Sequence, residues 1–211
     1  MACFPFFMEL SGKGCLVIGG GEVACRKAEI LLGFDARVHL VSPEICGEIW
    51  DLQKVYSGNR LFLSERECKD ADFADIFLVI AATDDEKCNR WAAGLCRERH
   101  ILVNVADCKE LCDFYFPAVV KRGELVVGVS SSGKSPLLAG RLRRKLDEAI
   151  PEYYGEMNEQ LGELRERVQG EIPGEAARKK CLEEFMEQYG REERRLSAGE
   201  IENIMMKYKE I

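Results

Sequence analysis

The chain predicts an α/β fold built on a parallel sheet, and three observations carry that reading. Short, apolar, β-rich runs alternate with longer helix-compatible stretches from residue 14 to about residue 106, the rhythm of a parallel sheet covered by helices. The runs are apolar almost without a break, as strands buried on both faces require, whereas a sheet wet on one face would alternate. A glycine triplet, Gly19-Gly20-Gly21, stands between the first run and the first helical stretch.

The strand candidates are 15–18, 37–41, 61–63, 76–81 and 101–105, and the helical stretches between them are 22–32, 44–56 and 85–99. Thr83-Asp84-Asp85-Glu86 has the spacing of a capping box, in which a hydroxyl and a carboxylate satisfy free amides at a helix start. After residue 112 the rhythm changes. Runs 114–120 and 125–129 read as a hairpin turning at Lys121-Arg122-Gly123-Glu124. A lone two-stranded ribbon is marginal in water, so this one is expected to join another sheet or its copy in a second subunit. Ser135 and Pro136 supply a cap and a first-turn proline for a helix through Leu137, Leu138, Leu142 and Leu146.

From Pro151 the composition is highly charged, with breaks at Gly170, Pro173-Gly174, Gly190 and Gly199. Three short helices are implied, with stripes Leu161/Leu164/Val168, Leu182/Phe185/Met186/Tyr189 and Ile201/Ile204/Met205/Tyr208 read as mutual packing. Ser197-Ala198-Gly199-Glu200 caps the last. The division implied is 1–112 for nucleotide, 113–150 for dimerisation and substrate, and 151–211 as a helical domain.

Composition narrows the function. The 211 residues are 46% hydrophobic and 32% charged, a soluble globular balance. No apolar run approaches the ~20 residues of a membrane helix, and the greasy N-terminus lacks the basic region of a secretory signal, so a cytoplasmic protein without membrane partners is expected. The ten cysteines are scattered and read as reduced thiols. Cys108-x-x-x-Cys112 has no second pair at zinc spacing and His39 and His100 lie elsewhere, so no metal site is assigned. A net charge of -7 argues against nucleic acid, whose phosphates demand clustered Lys and Arg.

Gly19-Gly20-Gly21-Glu22-Val23-Ala24 fits G-x-G-x-x-A in strand-turn-helix context. Such a loop needs a tight turn, backbone open to a pyrophosphate, and a small residue where helix meets strand. This is the dinucleotide signature of a Rossmann-like sheet. The ribose-binding acid should follow ~20 residues on; that place holds Val41-Ser42-Pro43-Glu44, with no arginine to meet a 2′-phosphate, so NAD is favoured over NADP. Thr83, at the end of the fourth run, is either a cap alone or a cap that also touches cofactor. The fifth run ends Asn104-Val105-Ala106-Asp107, bringing an amide and a carboxylate to the same sheet edge, and Asp107 is the best-placed acid for proton transfer or else begins a turn. Gly128-x-x-x-x-Gly133-Lys134-Ser135 matches a phosphate-loop string, but it follows a hairpin and Pro136 comes next, so ATP or GTP binding is the runner-up. The serine-rich loop before a helix start equally suits substrate carboxylates, with Lys134, Arg141, Arg143, Arg144 and Lys145 nearby in sequence.

Together, Phe4-Pro5-Phe6-Phe7, the run Gly19 to Ala28, Ala82-Thr83-Asp84-Asp85, Asn104-Val105-Ala106-Asp107, Phe116-Pro117-Ala118 and Ser131-Ser132-Gly133-Lys134-Ser135-Pro136 resemble, in order and spacing, the precorrin-2 dehydrogenase family, the N-terminal module of siroheme synthase. The resemblance covers about residues 4 to 150. It implies NAD-dependent oxidation of precorrin-2 to sirohydrochlorin, in some members insertion of Fe²⁺ as a further substrate to give siroheme, and a homodimer completed by the hairpin. It also implies Asp107 as the catalytic aspartate, Glu22, Val23, Pro43 and Glu44 beside the three glycines at the cofactor, and the serine-rich loop, Ser131 and Ser132 with Lys134, facing the tetrapyrrole; the strand ends themselves add Ser42 and Thr83 to the expected cofactor side and Asn104 to the substrate side. No methyltransferase domain follows in the sequence, so uroporphyrinogen methylation is expected elsewhere. A non-catalytic NAD-sensing regulator with a helical tail is the alternative from a different class.

Overall fold

The computed structural model describes residues 3–56 and 60–209. The chain divides into two compact units that part between Phe116 and Pro117. In the first, β1 (Gly14–Ile18), β2 (Arg37–Ser42), β3 (Leu61–Glu65), β4 (Leu78–Ala81) and β5 (Leu102–Val105) form a sheet in the order β3-β2-β1-β4-β5, parallel throughout. Helices α1 (Glu22–Gly33), α2 (Gly47–Val55) and α3 (Glu86–Glu98) connect them.

The unbroken apolar runs divide by parity. Cys15, Val17, Leu78 and Ile80 enter one core layer with Ala24, Ala28, Leu31 and Leu32 of α1 and Ile49 of α2. Leu16, Ile18, Val79, Ala81, Val103 and Val105 enter the other with Ala92, Ala93 and Cys96 of α3. Successive strand residues point to opposite faces, so a strand with no polar partner in its sequence must have helices on both sides.

Sequence boundaries shift where backbone is committed elsewhere. The helix expected from residue 44 begins at Gly47, because 43–46 wrap the glycine loop and Cys46 N donates to the Gly20 carbonyl at 2.9 Å. The expected capping box at Thr83 is displaced: Asp85 is the N-cap of α3, accepting from Lys87 N and Cys88 N at 2.8 and 3.2 Å. The run from Phe114 is not yet hairpin. It straps the edge of β5, with Asp113 N donating to Val103 O at 2.8 Å and Val103 N donating back to the Asp113 carboxylate at 3.0 Å.

In the second unit, β6 (Ala118–Arg122) and β7 (Leu125–Val129) pair antiparallel as a separate two-stranded sheet. Gly123 opens its two-residue turn at φ +57°, the conformation a tight hairpin asks of its first residue. The ribbon borrows cover from its own chain. Helices α4 (Pro136–Ala149) and α5 (Tyr153–Glu171) lie against it, and Arg122 donates to the carbonyls of Ile150 and Asp147 at 2.8 and 3.0 Å. Gly155 allows the approach, since a Cβ there would stand 2.9 Å from the Arg122 backbone. Ser135 caps α4 and Pro136 opens it, as the sequence predicts. The leucines of α4 do not form a buried stripe: Leu137 and Leu138 are 83% and 51% exposed.

The three C-terminal stripes do meet. In α5, α6 (Glu175–Glu192) and α7 (Ala198–Lys209), Leu164, Val168, Phe185, Tyr189, Ile204 and Met205 form one core, while Met186 turns outward. The helices are longer than the glycines suggest, α5 and α6 having 19 and 18 residues, because Gly170 and Gly190 lie inside their last turns. Gln160, 3% exposed, exchanges two bonds of 2.9 and 2.8 Å with the Leu196 backbone, pinning the connection before α7. Among the described residues no helix is long and apolar enough to cross a membrane.

Between β3 and β4, the Arg66 guanidinium grips Asp72 with two bonds of 2.8 and 2.6 Å, and Lys69 N adds a third of 2.8 Å. These hold the Asp72 carboxyl down at about 2, against an unfolded value of about 3.9. Its stabilising contribution is therefore complete above the unfolded value and lost as pH falls through about 2. Asp72→Asn should lower the unfolding free energy at pH 7 by ~1–3 kcal/mol. In urea titrations the gap from wild type should narrow as pH falls from about 4 through about 2; a gap independent of pH would remove the ion pair from the account.

Candidate active site

The site is built where the strand order reverses, outside the carboxyl ends of β1 and β4, the place at which open α/β sheets leave a crevice. Gly19 N donates to Val41 O at 3.0 Å, tying the end of β1 to β2, and Ala82 N donates to Ile18 O at 2.8 Å, tying it to β4. Between these ties there is no room for a side chain. Gly19 takes φ +123°, and a Cβ on it would stand 2.2 Å from the Ala82 carbonyl oxygen; one on Gly20 would stand 1.9 Å from the Glu44 carbonyl oxygen and 2.9 Å from Ser42 Oγ. Gly21 differs. Apart from its own chain neighbours, no described atom lies within 4 Å of its Cβ position. It is the N-cap of α1 and makes no side-chain cap bond, so the first amides of the helix meet solvent with their partial positive charge. That is the opening a pyrophosphate needs, and Ala24, fully buried, supplies the close helix-strand contact.

Ser42 is buried at the tip of β2, with Pro43 and Glu44 exposed beyond it. On the other side, a cleft of about 340 Å³ is lined by Val23, Ala82, Thr83, Asp84, Arg90, Val105, Asp107 and Leu111, among others. The structure thus brings Val23, Thr83 and Asp107 to one space. Thr83 is held there while its hydroxyl also accepts from the N-cap amide, Asp85 N, at 3.1 Å. Its hydroxyl donates to Asn89 Oδ1 at 3.0 Å, and Asn89 Nδ2 returns a bond of 2.8 Å to the Thr83 carbonyl. Asn89 is itself buried on α3; the sequence shows it only as one polar residue on a helix.

Asp107 projects from the tip of β5, exposed, on a backbone at φ +56°. Asp tolerates this left-handed conformation better than most residues, and such outliers gather at functional sites. Ala106 N, donating to Ala81 O at 2.8 Å, fixes the preceding residue against β4. Below the tip, Asn104 is buried rather than exposed to a ligand. Its amide nitrogen donates to Phe114 O at 2.8 Å, and its amide oxygen accepts from the Lys27 ammonium of α1. Lys27 Nζ also lies 4.7 Å from the centre of the Phe116 ring.

Ser131, Ser132 and Lys134 lie in the second unit, in the turn between β7 and α4. Ser131 Oγ accepts from Ser135 N at 3.0 Å and Ser130 Oγ from Ser132 N at 3.1 Å. The phosphate-loop string has the wrong support: Gly128 sits inside antiparallel β7, paired with Val119, not at the end of a parallel strand.

Among the described residues the cysteines form no disulfide with one another. Burial pushes the thiols of Cys15, Cys68 and Cys96 up to about 12, so they are inert hydrophobes at neutral pH. Cys112 packs under the β5 tip, its sulfur 3.2 Å from both Val105 N and Val105 O. Among the described residues no group of three or more His, Cys, Asp or Glu side chains gathers to hold a metal ion.

A parallel sheet reversing beside a glycine loop, with an uncapped helix start and a cleft at the reversal, defines a Rossmann-type dinucleotide-binding protein. Residues 6–118 match the family model described as "Putative NAD(P)-binding", and residues 122–149 match "Sirohaem biosynthesis protein central". The chain belongs to the first of these families, whose model spans more than half of it. It is 42% identical over 187 residues to the siroheme synthase of Thioalkalivibrio sulfidiphilus, covering 89% of this chain and 38% of that one. To the siroheme synthase of Photorhabdus laumondii it is 40% identical over 184 residues, covering 87% and 38%. The chain therefore spans well under half the length of these curated relatives. The solved structure of SirC, precorrin-2 dehydrogenase, shares its fold at a TM-score of 0.77 and 23% identity, over 99% of this chain and 100% of that one.

The glycines give a paired test. Gly20→Ala must displace backbone and should cost several kcal/mol of stability, on the scale of severe overpacking. Gly21→Ala should fold within ~1 kcal/mol of wild type yet lose most NADH affinity, read by fluorescence titration. Equal affinity in Gly21→Ala and wild type would place the dinucleotide elsewhere.

Proposed function

We propose that the chain oxidises precorrin-2 to sirohydrochlorin with NAD, as one step of siroheme biosynthesis. One observation carries this reading: the carboxylate of Asp107 and the helix start beside the glycine loop, at Val23, line the same cleft. A dinucleotide bound there supplies a hydride acceptor. The β2 tip offers Ser42 and the Glu44 carboxylate, which suit ribose hydroxyls better than a 2′-phosphate, so the nucleotide is NAD. The Gly21 end of α1 receives the pyrophosphate charge, and Thr83, locked by Asn89, presents a fixed edge to the cofactor.

Dehydrogenation removes a hydride and a proton from the substrate. Asp107 takes the proton at its carboxylate oxygen, and the left-handed backbone aims that side chain outward from the strand tip. The serine loop, with Lys134 and the start of α4, receives the acidic arms of the tetrapyrrole. The division of labour follows the chain: nucleotide in 1–112, dimerisation and substrate in 113–150, a helical domain in 151–211. The exposed Leu137, Leu138 and Leu142 of α4 support a homodimer formed through the hairpin region. For members of this family that also insert Fe²⁺, the same carboxylate is the group available to steer the ion or accept pyrrole protons.

NADH absorbance should rise when the protein is given precorrin-2 and NAD. Asp107→Ala should lower kcat by ~10²-fold or more while NADH affinity changes little. Binding of NADH without any turnover would favour a nucleotide-sensing regulator instead. Siroheme formed from sirohydrochlorin and Fe²⁺ above the uncatalysed rate would add the chelation step.

A further inference from the structure

Lys27 belongs to the motif region, and its chemistry is not used by the reading above. It lies on α1, between one and two turns from the glycine loop, half-buried between the helix and the end of β5. Its bonded partner is a neutral amide, Asn104 Oδ1, and its other neighbour is the face of Phe116 at 4.7 Å. An ammonium carries three donors and is costly to desolvate. A Met or Leu would fill the same channel without that cost, so packing alone does not account for a lysine here. Burial lowers the pKa of its ammonium below the ordinary lysine range; Cys112 and the Asp107 carboxylate pull it back up, and Arg26 pushes it down.

We infer that Lys27 is a positioning residue for the acid of the cleft: its ammonium, bonded to Asn104, ties the strand that carries that acid at its tip to the helix that starts at the glycine loop. The connection is short. Asn104 is bonded on one side to Lys27 and on the other to the Phe114 carbonyl, and Asp107 follows three residues later. The two parts that must act on one substrate, the nucleotide-binding helix start and the proton acceptor, thus share a single charged brace. The inference rests on the dehydrogenase reading of Asp107 given above.

The test uses Lys27→Met, which keeps length and removes charge, and Lys27→Arg, which keeps charge at every accessible pH. Lys27→Met should lower kcat roughly tenfold or more, as misplacement of a reacting group does, with the NADH dissociation constant changed less than about threefold. Lys27→Arg should recover most of that kcat. Wild type should also lose kcat at alkaline pH as Lys27 deprotonates, and Lys27→Arg should not. A readout independent of turnover is the ¹³C titration of Lys27 in lysine-labelled protein, assigned by its absence from Lys27→Met. Asp107→Ala should move that titration to lower pH, because a facing carboxylate is removed. Wild-type kcat in Lys27→Met, an alkaline limb common to all three proteins, or a Lys27 titration indifferent to Asp107→Ala would each overturn the inference. If the wild-type protein forms no NADH from precorrin-2, the dehydrogenase reading fails by itself, and the ¹³C titration still decides whether Lys27 and Asp107 are coupled. If Lys27→Met does not fold, the Lys27→Arg profile and the titration in Asp107→Ala decide.

Discussion

The structure depends on a place with no spare volume: the turn leaving β1, where the Ala82 and Glu44 carbonyls close on Gly19 and Gly20 from two sides. Backbone touches backbone there, so the ends of β1, β2 and β4 are fixed relative to one another without any side chain as intermediary. The candidate residues of the first unit then stand on short extensions from strand ends of the same sheet. Asp107 is two residues past β5, Thr83 two past β4, Ser42 the last residue of β2, and the helix start four beyond β1. Close packing resists small displacements, which is why a crevice made from four strand ends can keep a constant shape.

Much of the sheet could be read from the sequence, because strands buried on both faces have only one way to look. The runs at 15–18 and 101–105 differ from β1 and β5 by one residue each. The glycine loop was equally plain, since its requirements are local: a positive φ, a close contact and a small residue within six positions. Ser135 with Pro136 marked the start of α4 for the same reason.

What the sequence concealed was set by partners far away along the chain. Lys27 meets Asn104 across 77 residues, and nothing in Arg26-Lys27-Ala28 distinguishes an inward lysine from a solvated one. Asn89 and Cys112 are similar cases; each satisfies the end of a strand it is not part of. The misplaced start of α2 has a similar cause. Residues 44–46 have helix-compatible letters, but the backbone there is already committed to the glycine loop, Cys46 N donating to Gly20 O, and a backbone group bonds where the fold puts it. Run 114–120 failed differently: its first half is β-prone because it lies along a strand, though it belongs to none.

That strap has a consequence for how the molecule behaves in a crowded solution. The outer margin of β5 would otherwise present a row of free amides and carbonyls, a template onto which any extended peptide could add. Asp113 occupies it with one backbone donor and one carboxylate acceptor, and a carboxylate cannot be continued by a further strand. The sheet is thus terminated chemically on that side, by a residue whose negative charge also repels the next would-be guest.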